Sequence, residues 1–246
     1  MFLGTFTLYG ILLSCCAALG LFLSDMLDKS DLPHLIDGGL VMVAVSLFGS
    51  RLSYVLVNFS YYQDHWLEIP QFWLGGLSWP GALLGAALSI FLIHWIWKQP
   101  AGELADSFLP LLGILVIGIW LTGWGAGIGY GPRTDAWFGI PTADLFGSIE
   151  RRWPLPILGA FISGAWSTIV VLFPLKRQRS AGTRGLLGLF GLLVINAVIS
   201  FFRVDPAPRL LGLRLESWIS ILALIAAGIG LYLLTKERTL YEPSDS

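Results

Sequence analysis

Residues 38–58 read GGLVMVAVSLFGSRLSYVLVN, and this run decides the fold. An α-helix rises about 1.5 Å per residue, so about 20 apolar residues cross the roughly 30 Å hydrocarbon core of a bilayer. The run contains a single charge, Arg51. An arginine at that depth costs roughly 2.5–3.5 kcal/mol on insertion scales. Arg51 therefore either helps hold a helix bundle together or serves a ligand.

Six further apolar runs accompany this one along the chain. Hydrophobic residues make up 55% of the sequence and charged residues 13%, which excludes an ordinary soluble domain. Backbone polar groups must be satisfied internally in lipid, so the runs are helices. We predict an all-α integral membrane protein, with an outer-side loop region and about seven transmembrane helices in one bundle over residues 6–24, 38–58, 78–97, 108–129, 154–174, 185–202 and 214–235.

The basic residues suggest an orientation for this bundle. Lysines and arginines favour the cytoplasmic side, and residues 176–184 form a dense basic loop. We therefore expect an external N-terminus and a cytoplasmic C-terminus. Residues 1–236 are predicted to form one transmembrane domain, and residues 237–246 a polar, disordered cytoplasmic tail. The basic residues on the predicted outer side are all arginines, whose planar forks bind phosphate in a bidentate manner.

Metal and redox chemistry have little support in the sequence. The three histidines, His34, His65 and His94, are scattered and lack the spacing of metal ligands. Cys15 and Cys16 lie inside a predicted helix, where apolar packing is the ordinary role. We expect no metal, no cofactor and no nucleic-acid partner.

The polar features of the chain converge on one side of the membrane. In seven alternating crossings, odd helices begin where even helices end, so Arg51, the Gly75-Gly76-Leu77-Ser78 turn and the outer arginines share that side. Glycine turns can present backbone N–H groups to an anion. The aromatic stretch 59–77 is predicted to lie along the membrane surface. We predict an anion-accepting cavity with the binding residues Tyr9, Arg51, Gly75, Gly76, Ser78 and Asn196.

Several segments resemble the bacterial prolipoprotein diacylglyceryl transferases. Gly49-Ser50-Arg51-Leu52-Ser53-Tyr54-Val55 is similar to their G-x-R-[LI]-x-Y-V segment. Gly75-Gly76-Leu77-Ser78-Trp79-Pro80-Gly81 is similar to G-G-[LM]-S-[FW]-H-G. Tyr9-Gly10 matches a Y-G pair of their first helix, and Phe201-Phe202-Arg203 followed by Asp205 matches the end of E-F-F-R. Residues 213–220 match a later segment more loosely and keep Ser220.

The resemblance implies a function and a place in the cell. Members of this family move the diacylglyceryl group of phosphatidylglycerol to a cysteine thiol of a pre-lipoprotein signal segment, and glycerol phosphate leaves. They are multi-pass proteins of the bacterial plasma (inner) membrane with seven helices and a site that faces the outer leaflet. Their reaction requires no cofactor, so arginines must stabilise the departing phosphate.

The family pattern is broken at the positions that carry charge. Pro80 stands in place of the family histidine, and Trp124 in place of an arginine. The H-P-[ST]-Q-L-Y-E segment keeps only Pro154, and Asn196 and Ser200 replace an arginine–glutamate pair. If the chain is a transferase, relocated arginines must act instead, and the candidate catalytic residues are Arg203, Arg133, Arg151 and Arg152.

Three function classes follow from these observations. The first is a diacylglyceryl transferase that uses the relocated arginines. The second is a catalytically inactive relative that binds an anionic lipid or the signal helix of a lipoprotein. The third is a membrane transporter or structural protein that shares only the fold.

Overall fold

A computed structural model of the chain describes residues 2–28, 30–72, 75–172 and 180–241. For residues 2–9, 235 and 237–241 it describes the backbone alone. Part of the sequence prediction lies outside these limits: the side chain of Tyr9, residues 176–179 of the basic loop 176–184, and the tail residues 242–246.

Seven long helices dominate the fold. They are α1 (Phe2–Leu27), α2 (Leu35–Val57), α4 (Trp79–Trp97), α6 (Leu109–Gly125), α7 (Leu155–Leu172), α8 (Thr183–Phe202) and α9 (Leu215–Tyr241). The short elements are α3 (Phe59–Tyr62), a 3₁₀ turn (Trp66–Glu68), α5 (Ala101–Ser107), and the antiparallel hairpins β1 (Ile140–Ala143) with β2 (Ile149–Arg152) and β3 (Arg209–Leu210) with β4 (Leu213–Arg214). The prediction of a helical membrane bundle is confirmed.

The fourth predicted run, 108–129, corresponds to α6, which ends earlier, at Gly125, and is preceded by the short helix α5. The two helices meet at an angle of 47°. Pro110 is the second residue of α6 and has no N–H to donate to the carbonyl four positions earlier, so α6 starts as a separate helix. Among the described residues, six helices are long and apolar enough to cross a membrane alone, and α5 with α6 makes a seventh if the pair forms one span.

The end of the last helix also differs from the prediction. The backbone of residues 237–241 continues α9, so the expectation of disorder from residue 237 is wrong for this segment. Lysine, glutamate, arginine and leucine favour helices, and each residue added to an existing helix gains a backbone hydrogen bond.

Helices α2 and α4 cross in direct backbone contact. A side chain on Gly49 would place its Cβ 2.5 Å from the carbonyl oxygen of Gly81, and one on Gly85 would lie 2.5 Å from the carbonyl oxygen of Val45. The Ser78 N–H donates to the carbonyl of Ser50 at 3.2 Å. The crossing therefore fixes the start of α4 beside the residue that precedes Arg51.

Gly81→Ala is expected to lower the free energy of unfolding by about 1–3 kcal/mol, because the new methyl group overlaps the backbone of Gly49. Thermal unfolding in detergent micelles measures the effect. Gly10→Ala is the matched control, since no atom lies within 4 Å of its added Cβ and the residue is exposed. Equal melting temperatures for the two variants would contradict the close crossing.

Helix α1 joins the α2 and α4 pair to the remaining helices. An added Cβ at Gly20 would lie 2.9 Å from the Cα of Leu111, and one at Gly118 would lie 2.8 Å from the Sγ of Cys16. Of the two cysteines predicted to pack within a helix bundle, Cys16 lies against α6, whereas Cys15 is exposed. At the other end of the bundle, the Asp106 carboxylate accepts the N–H groups of Gly182 at 2.9 Å and Gly185 at 2.6 Å. This carboxylate holds α5 against the start of α8.

Candidate functional site

One end of each of four helices, α6, α7, α8 and α9, lies on the side of the bundle where α1 begins. We call this the N-terminal side. The N–H of Val204, after α8, donates to the carbonyl of Tyr130, after α6, at 3.1 Å. The N–H of Trp153, before α7, donates to the carbonyl of Pro132 at 3.0 Å. These bonds bring together arginines of the segments 133–152 and 203–214. The arginine cluster consists of Arg133, Arg152, Arg203 and Arg214 with the carboxylates Asp144, Glu150, Asp205 and Glu216.

Arg203 occupies the centre of the first half of the cluster. Its Nε and Nη2 donate to the two carboxylate oxygens of Asp205 at 3.0 and 2.7 Å, and its Nη1 donates to Glu216 Oε2 at 3.1 Å. Arg214 donates from Nη2 to the same aspartate at 3.0 Å and from Nη1 to its backbone carbonyl at 2.8 Å. One buried carboxylate thus holds two guanidinium groups.

Electrostatics favour the charged form of this pair. Burial alone would raise the pKa of Asp205, but the two hydrogen-bonded guanidinium groups of Arg203 and Arg214 hold it below its ordinary value. Burial would lower the pKa of Arg203, and Asp205 and Glu216 more than offset that effect, so its pKa is raised. These opposite shifts favour the charged forms of both Arg203 and Asp205 at neutral pH.

Arg152 forms the second half of the cluster. Its Nη2 donates to Asp144 and to Glu150, each at 3.2 Å, and its guanidinium lies 4.4 Å from the centre of the Tyr130 ring. Glu150 also pairs with Arg133, whose side chain is 70% exposed. The Nε of Arg152 is buried and has no partner among the described residues. One donor of this half of the cluster, the Arg152 Nε, therefore lacks a described acceptor, and the exposed guanidinium is that of Arg133.

The two halves are neighbours. Tyr130 contacts Arg152 through its ring and bonds the residue after Arg203 through its carbonyl. A Cβ on Gly129 would lie 3.7 Å from the Nε of Arg203. The turn 129–130 therefore connects the hairpin arginine to the helix-end arginine.

Arg151 is separate from the cluster. Successive residues of a strand point to opposite faces, so the exposed Arg151 lies across β2 from the buried Arg152. Arg151 donates to the carbonyls of Gly139 at 3.3 Å and Ala136 at 3.2 Å. Of the four arginines predicted as catalytic, the structure brings together Arg203, Arg152 and Arg133.

Arg51 lies in a different part of the N-terminal side and is 3% exposed. Its Nε donates to the carbonyl of Ile69 at 2.9 Å, and its Nη2 to that of Glu68 at 2.6 Å. Its Nη1 donates to the carbonyls of Gly75 at 2.6 Å and Gly76 at 3.2 Å. The predicted proximity of Arg51 to the glycine turn is present, and the arginine holds the loop 68–76 to α2.

The glycine turn presents carbonyl groups, whereas the sequence prediction was that it presents N–H groups. The N–H of Gly75 donates to the carbonyl of Phe72 at 3.2 Å, and the carbonyls of Gly75 and Gly76 accept from Arg51. The turn therefore offers acceptors to a cation, and the expectation that it presents its N–H groups to an anion is wrong for Gly75. Both glycines have positive φ, at 83° and 70°, which a side chain at either position would strain.

A cavity of about 390 Å³ lies beside Arg51. Tyr61 donates its hydroxyl to Glu68 Oε2 at 3.0 Å, and this hydrogen bond raises the pKa of Tyr61. Ser53 donates to Ser78 at 3.3 Å near the start of α4. The cavity is polar and aromatic, and it is lined by Arg51, Tyr54, Asn58, Tyr61, Tyr62, Glu68, Gly75 and Gly76. Binding of substrate by the predicted residues here stays a prediction.

Neutral contacts stand where the family resemblance placed charges. Asn196 donates to Ser220 at 3.0 Å, and Ser200 shares a hydrogen bond with Ser217 at 2.8 Å, so these residues join α8 to α9. Pro80 is buried in the first turn of α4, a position that needs no N–H donor. Within the described part of the chain, no group of three histidine, cysteine or acidic side chains could hold a metal ion.

The arginines of the cluster were predicted from the sequence, but their carboxylate partners were not. Asp144, Glu150 and Glu216 were not among the predicted site residues. Asp205 was noted as a match to the family and given no role. The available signal was the spacing Arg203-x-Asp205 and the presence of Asp144 and Glu150 close to Arg151 and Arg152 in sequence.

The comparisons with known proteins agree with this architecture. A family model described as prolipoprotein diacylglyceryl transferase matches residues 2–234, so the chain belongs to that family. It is similar to the phosphatidylglycerol–prolipoprotein diacylglyceryl transferase of Thermosynechococcus vestitus, with 26% identity over 88% of each chain. The protein of that name from Nitratidesulfovibrio vulgaris is 30% identical over 78% of this chain and 72% of its own. The protein of that name from Photobacterium profundum is 31% identical over 71% of this chain and 64% of its own.

Family membership and the apolar helices together define a multi-pass membrane protein.

Proposed function

We propose that the chain transfers the diacylglyceryl group of phosphatidylglycerol to the cysteine thiol of a pre-lipoprotein. In this proposal it lies in the bacterial inner membrane, with the N-terminal side facing outward and the C-terminus in the cytoplasm. The observation that carries the proposal is the convergence of Arg203, Arg152 and Arg133 on one side of a chain that matches the family over residues 2–234. An anionic headgroup in the outer leaflet would meet these arginines.

The reaction needs the arginines at its leaving group. The sulfur attacks the glyceryl carbon that bears the phosphate, the S–C bond forms, and the C–O bond breaks. The electron pair goes to glycerol phosphate, and the thiol proton goes to solvent or to a carboxylate. Donors aimed at the charge that develops on the departing phosphate stabilise the transition state.

Every arginine of the cluster is already paired with a carboxylate, so side chains must move before the cluster can bind a phosphate fully. Four arginines face four carboxylates, so the cluster is electrically neutral before a lipid arrives. Arg133 is the most exposed of these arginines, and Arg203 has one nitrogen, Nη1, bonded to a partly exposed glutamate. These two guanidinium groups are best placed to meet a phosphate.

Arg203→Ala is expected to reduce transfer about 10²- to 10³-fold, because one charge-assisted contact to the leaving phosphate is lost. Arg152→Ala and Arg133→Ala are expected to have smaller but clear effects, and Arg151→Ala the smallest, since its guanidinium bonds loop carbonyls. The assay uses labelled phosphatidylglycerol and a lipobox peptide in proteoliposomes.

Arg209→Ala is the matched control for this series, since it removes an exposed charge on the same side without breaking a described ion pair. Thermal unfolding of each variant separates lost activity from lost fold. Equal transfer rates for all four variants and the control would rule out the relocated-arginine mechanism.

A second candidate function is favoured by the absence of a histidine from the described part of the site. In the described part of the chain, no histidine contacts the arginine cluster, and His65 stacks on Tyr61 beside the other cavity. Pro80, Trp124, Asn196 and Ser200 cannot replace the missing charges. In this alternative the chain binds an anionic lipid or a signal helix and performs no chemistry. A transporter is not favoured, because Arg51 is engaged by loop carbonyls.

Complementation of a strain depleted of its transferase decides between the two candidates. Restored growth and lipoprotein modification support the transferase. Retention of phosphatidylglycerol by the purified, folded protein, without growth or transfer, supports the binding protein.

A further inference from the structure

We infer that Glu216 is an exchangeable counter-ion, which leaves Arg203 when a lipid phosphodiester binds and returns when the product departs. The inference rests on the proposed function in that it names the event by which the arginine cluster accepts its substrate. It concerns binding, so its test does not depend on turnover.

The two acidic partners of Arg203 differ in how firmly they are held. Asp205 is 3% exposed and accepts three side-chain N–H bonds, two from Arg203 and one from Arg214. The Glu216 side chain is 35% exposed and accepts a single bond from Arg203 Nη1 at 3.1 Å. Removing the aspartate would strand two buried guanidinium groups, whereas removing the glutamate frees one nitrogen at the edge of the cluster.

A freed Glu216 is not left without stabilisation. It lies in the first turn of α9, a helix of 27 residues, where the helix dipole favours a negative side chain. The carboxylate can therefore turn toward solvent and stay beside the helix start. The cost of exchange is set mainly by the loss of one partly exposed ion pair, which is small.

The two edges of the Arg203 guanidinium differ in access. Its Nε donates to Asp205, and the buried Gly129 lies beside this edge, since a Cβ there would be 3.7 Å from Nε. The exchange therefore takes place at Nη1, which bonds the partly exposed Glu216. A phosphate oxygen at Nη1 would replace the glutamate oxygen with similar hydrogen-bond geometry.

Charge then selects the ligand class. A phosphodiester carries one negative charge, so its exchange for Glu216 leaves the charge around Arg203 unchanged. A phosphate monoester carries about −1.5 to −2 at neutral pH, so it adds negative charge beside Asp205. The site should hold a diester lipid more tightly than the glycerol phosphate released from it, and the returning glutamate helps to expel that product.

Glu216→Gln tests the inference through binding of short-chain phosphatidylglycerol to the full-length protein in detergent. Removal of the competing charge is expected to tighten binding about tenfold. The parent should bind glycerol phosphate more weakly than the diester. In Glu216→Gln, the ratio of these two affinities should be closer to one. Glu103→Gln, at the other end of the bundle, is the matched control and should leave both affinities unchanged.

Each result has a defined meaning. Unchanged or weaker diester binding in folded Glu216→Gln overturns the inference, as does equal binding to the parent and to a folded Arg203→Ala variant. Tighter binding in Glu216→Gln by a protein that transfers no diacylglyceryl group upholds the inference and refutes only the transferase activity.

Discussion

Arg51→Ala is expected to lower the free energy of unfolding by about 3–5 kcal/mol, because it removes a charged donor shared by several backbone carbonyls. The guanidinium bonds four backbone carbonyls of the loop 68–76, and water cannot readily replace a side chain that is 3% exposed. Unpaired buried carbonyls carry a penalty of about 1–3 kcal/mol each, relieved where the loop opens to solvent. Thermal unfolding in detergent or nanodiscs measures the loss.

Leu52→Ala is the control for Arg51→Ala, because it truncates the next residue of α2, which is 47% exposed. Arg51→Lys should recover only part of the stability, since an ammonium cannot span carbonyls on both sides of the loop as the planar fork does. An Arg51→Ala melting temperature equal to that of Leu52→Ala would show that the carbonyl bonds contribute little.

Asp205→Asn is expected to lower the free energy of unfolding by about 3–5 kcal/mol, because it leaves the buried Arg203 and Arg214 without their shared negative charge. Glu216→Gln, which removes a more exposed partner of the same arginine, should cost well under half as much. Chemical or thermal unfolding at pH 7 measures both, and equal losses would contradict the difference in burial.

The stabilising contribution of Asp205 depends on pH in a defined direction. Its folded-state pKa is lowered, so its contribution is complete above the ordinary aspartate value of 3.8 and is lost as the pH falls through the folded-state pKa. The parent should therefore lose stability more steeply than Asp205→Asn below about pH 4. Parallel curves in this range would contradict the lowered pKa.

Apolar length alone was enough to place the helices. The predicted run 185–202 corresponds to α8, and 78–97 to α4, because lipid leaves the backbone of such segments no alternative to the helix. The run predicted at 108–129 begins where α6 begins, but the short helix α5 before it was not predicted, because its sequence AGELADS is too polar and too short to be recognised as a span. The position of a bend depends on a single missing N–H rather than on composition.

The sequence predicted which arginines and glycines lie near the site, but not how their hydrogen bonds are arranged. Alternating crossings brought Arg51 to the glycine turn and grouped Arg203 with Arg152, as the sequence predicts. The direction of the glycine turn and the separation of Arg151 from Arg152 depend on local backbone angles and on strand register, which composition does not encode. The carboxylate partners were missed because their pairing is decided by tertiary contact.

The bonds of Arg51 also impose an order on biogenesis. Two of its acceptors, Gly75 and Gly76, lie 24 and 25 residues further along the chain. During synthesis, α2 therefore reaches the translocon with its arginine unsatisfied, at a cost of up to roughly 3 kcal/mol if it entered lipid alone. The segment gains its partners only after the loop has emerged and the start of α4 has followed. Helices α2 and α4 are thus best understood as a hairpin that leaves the translocon together.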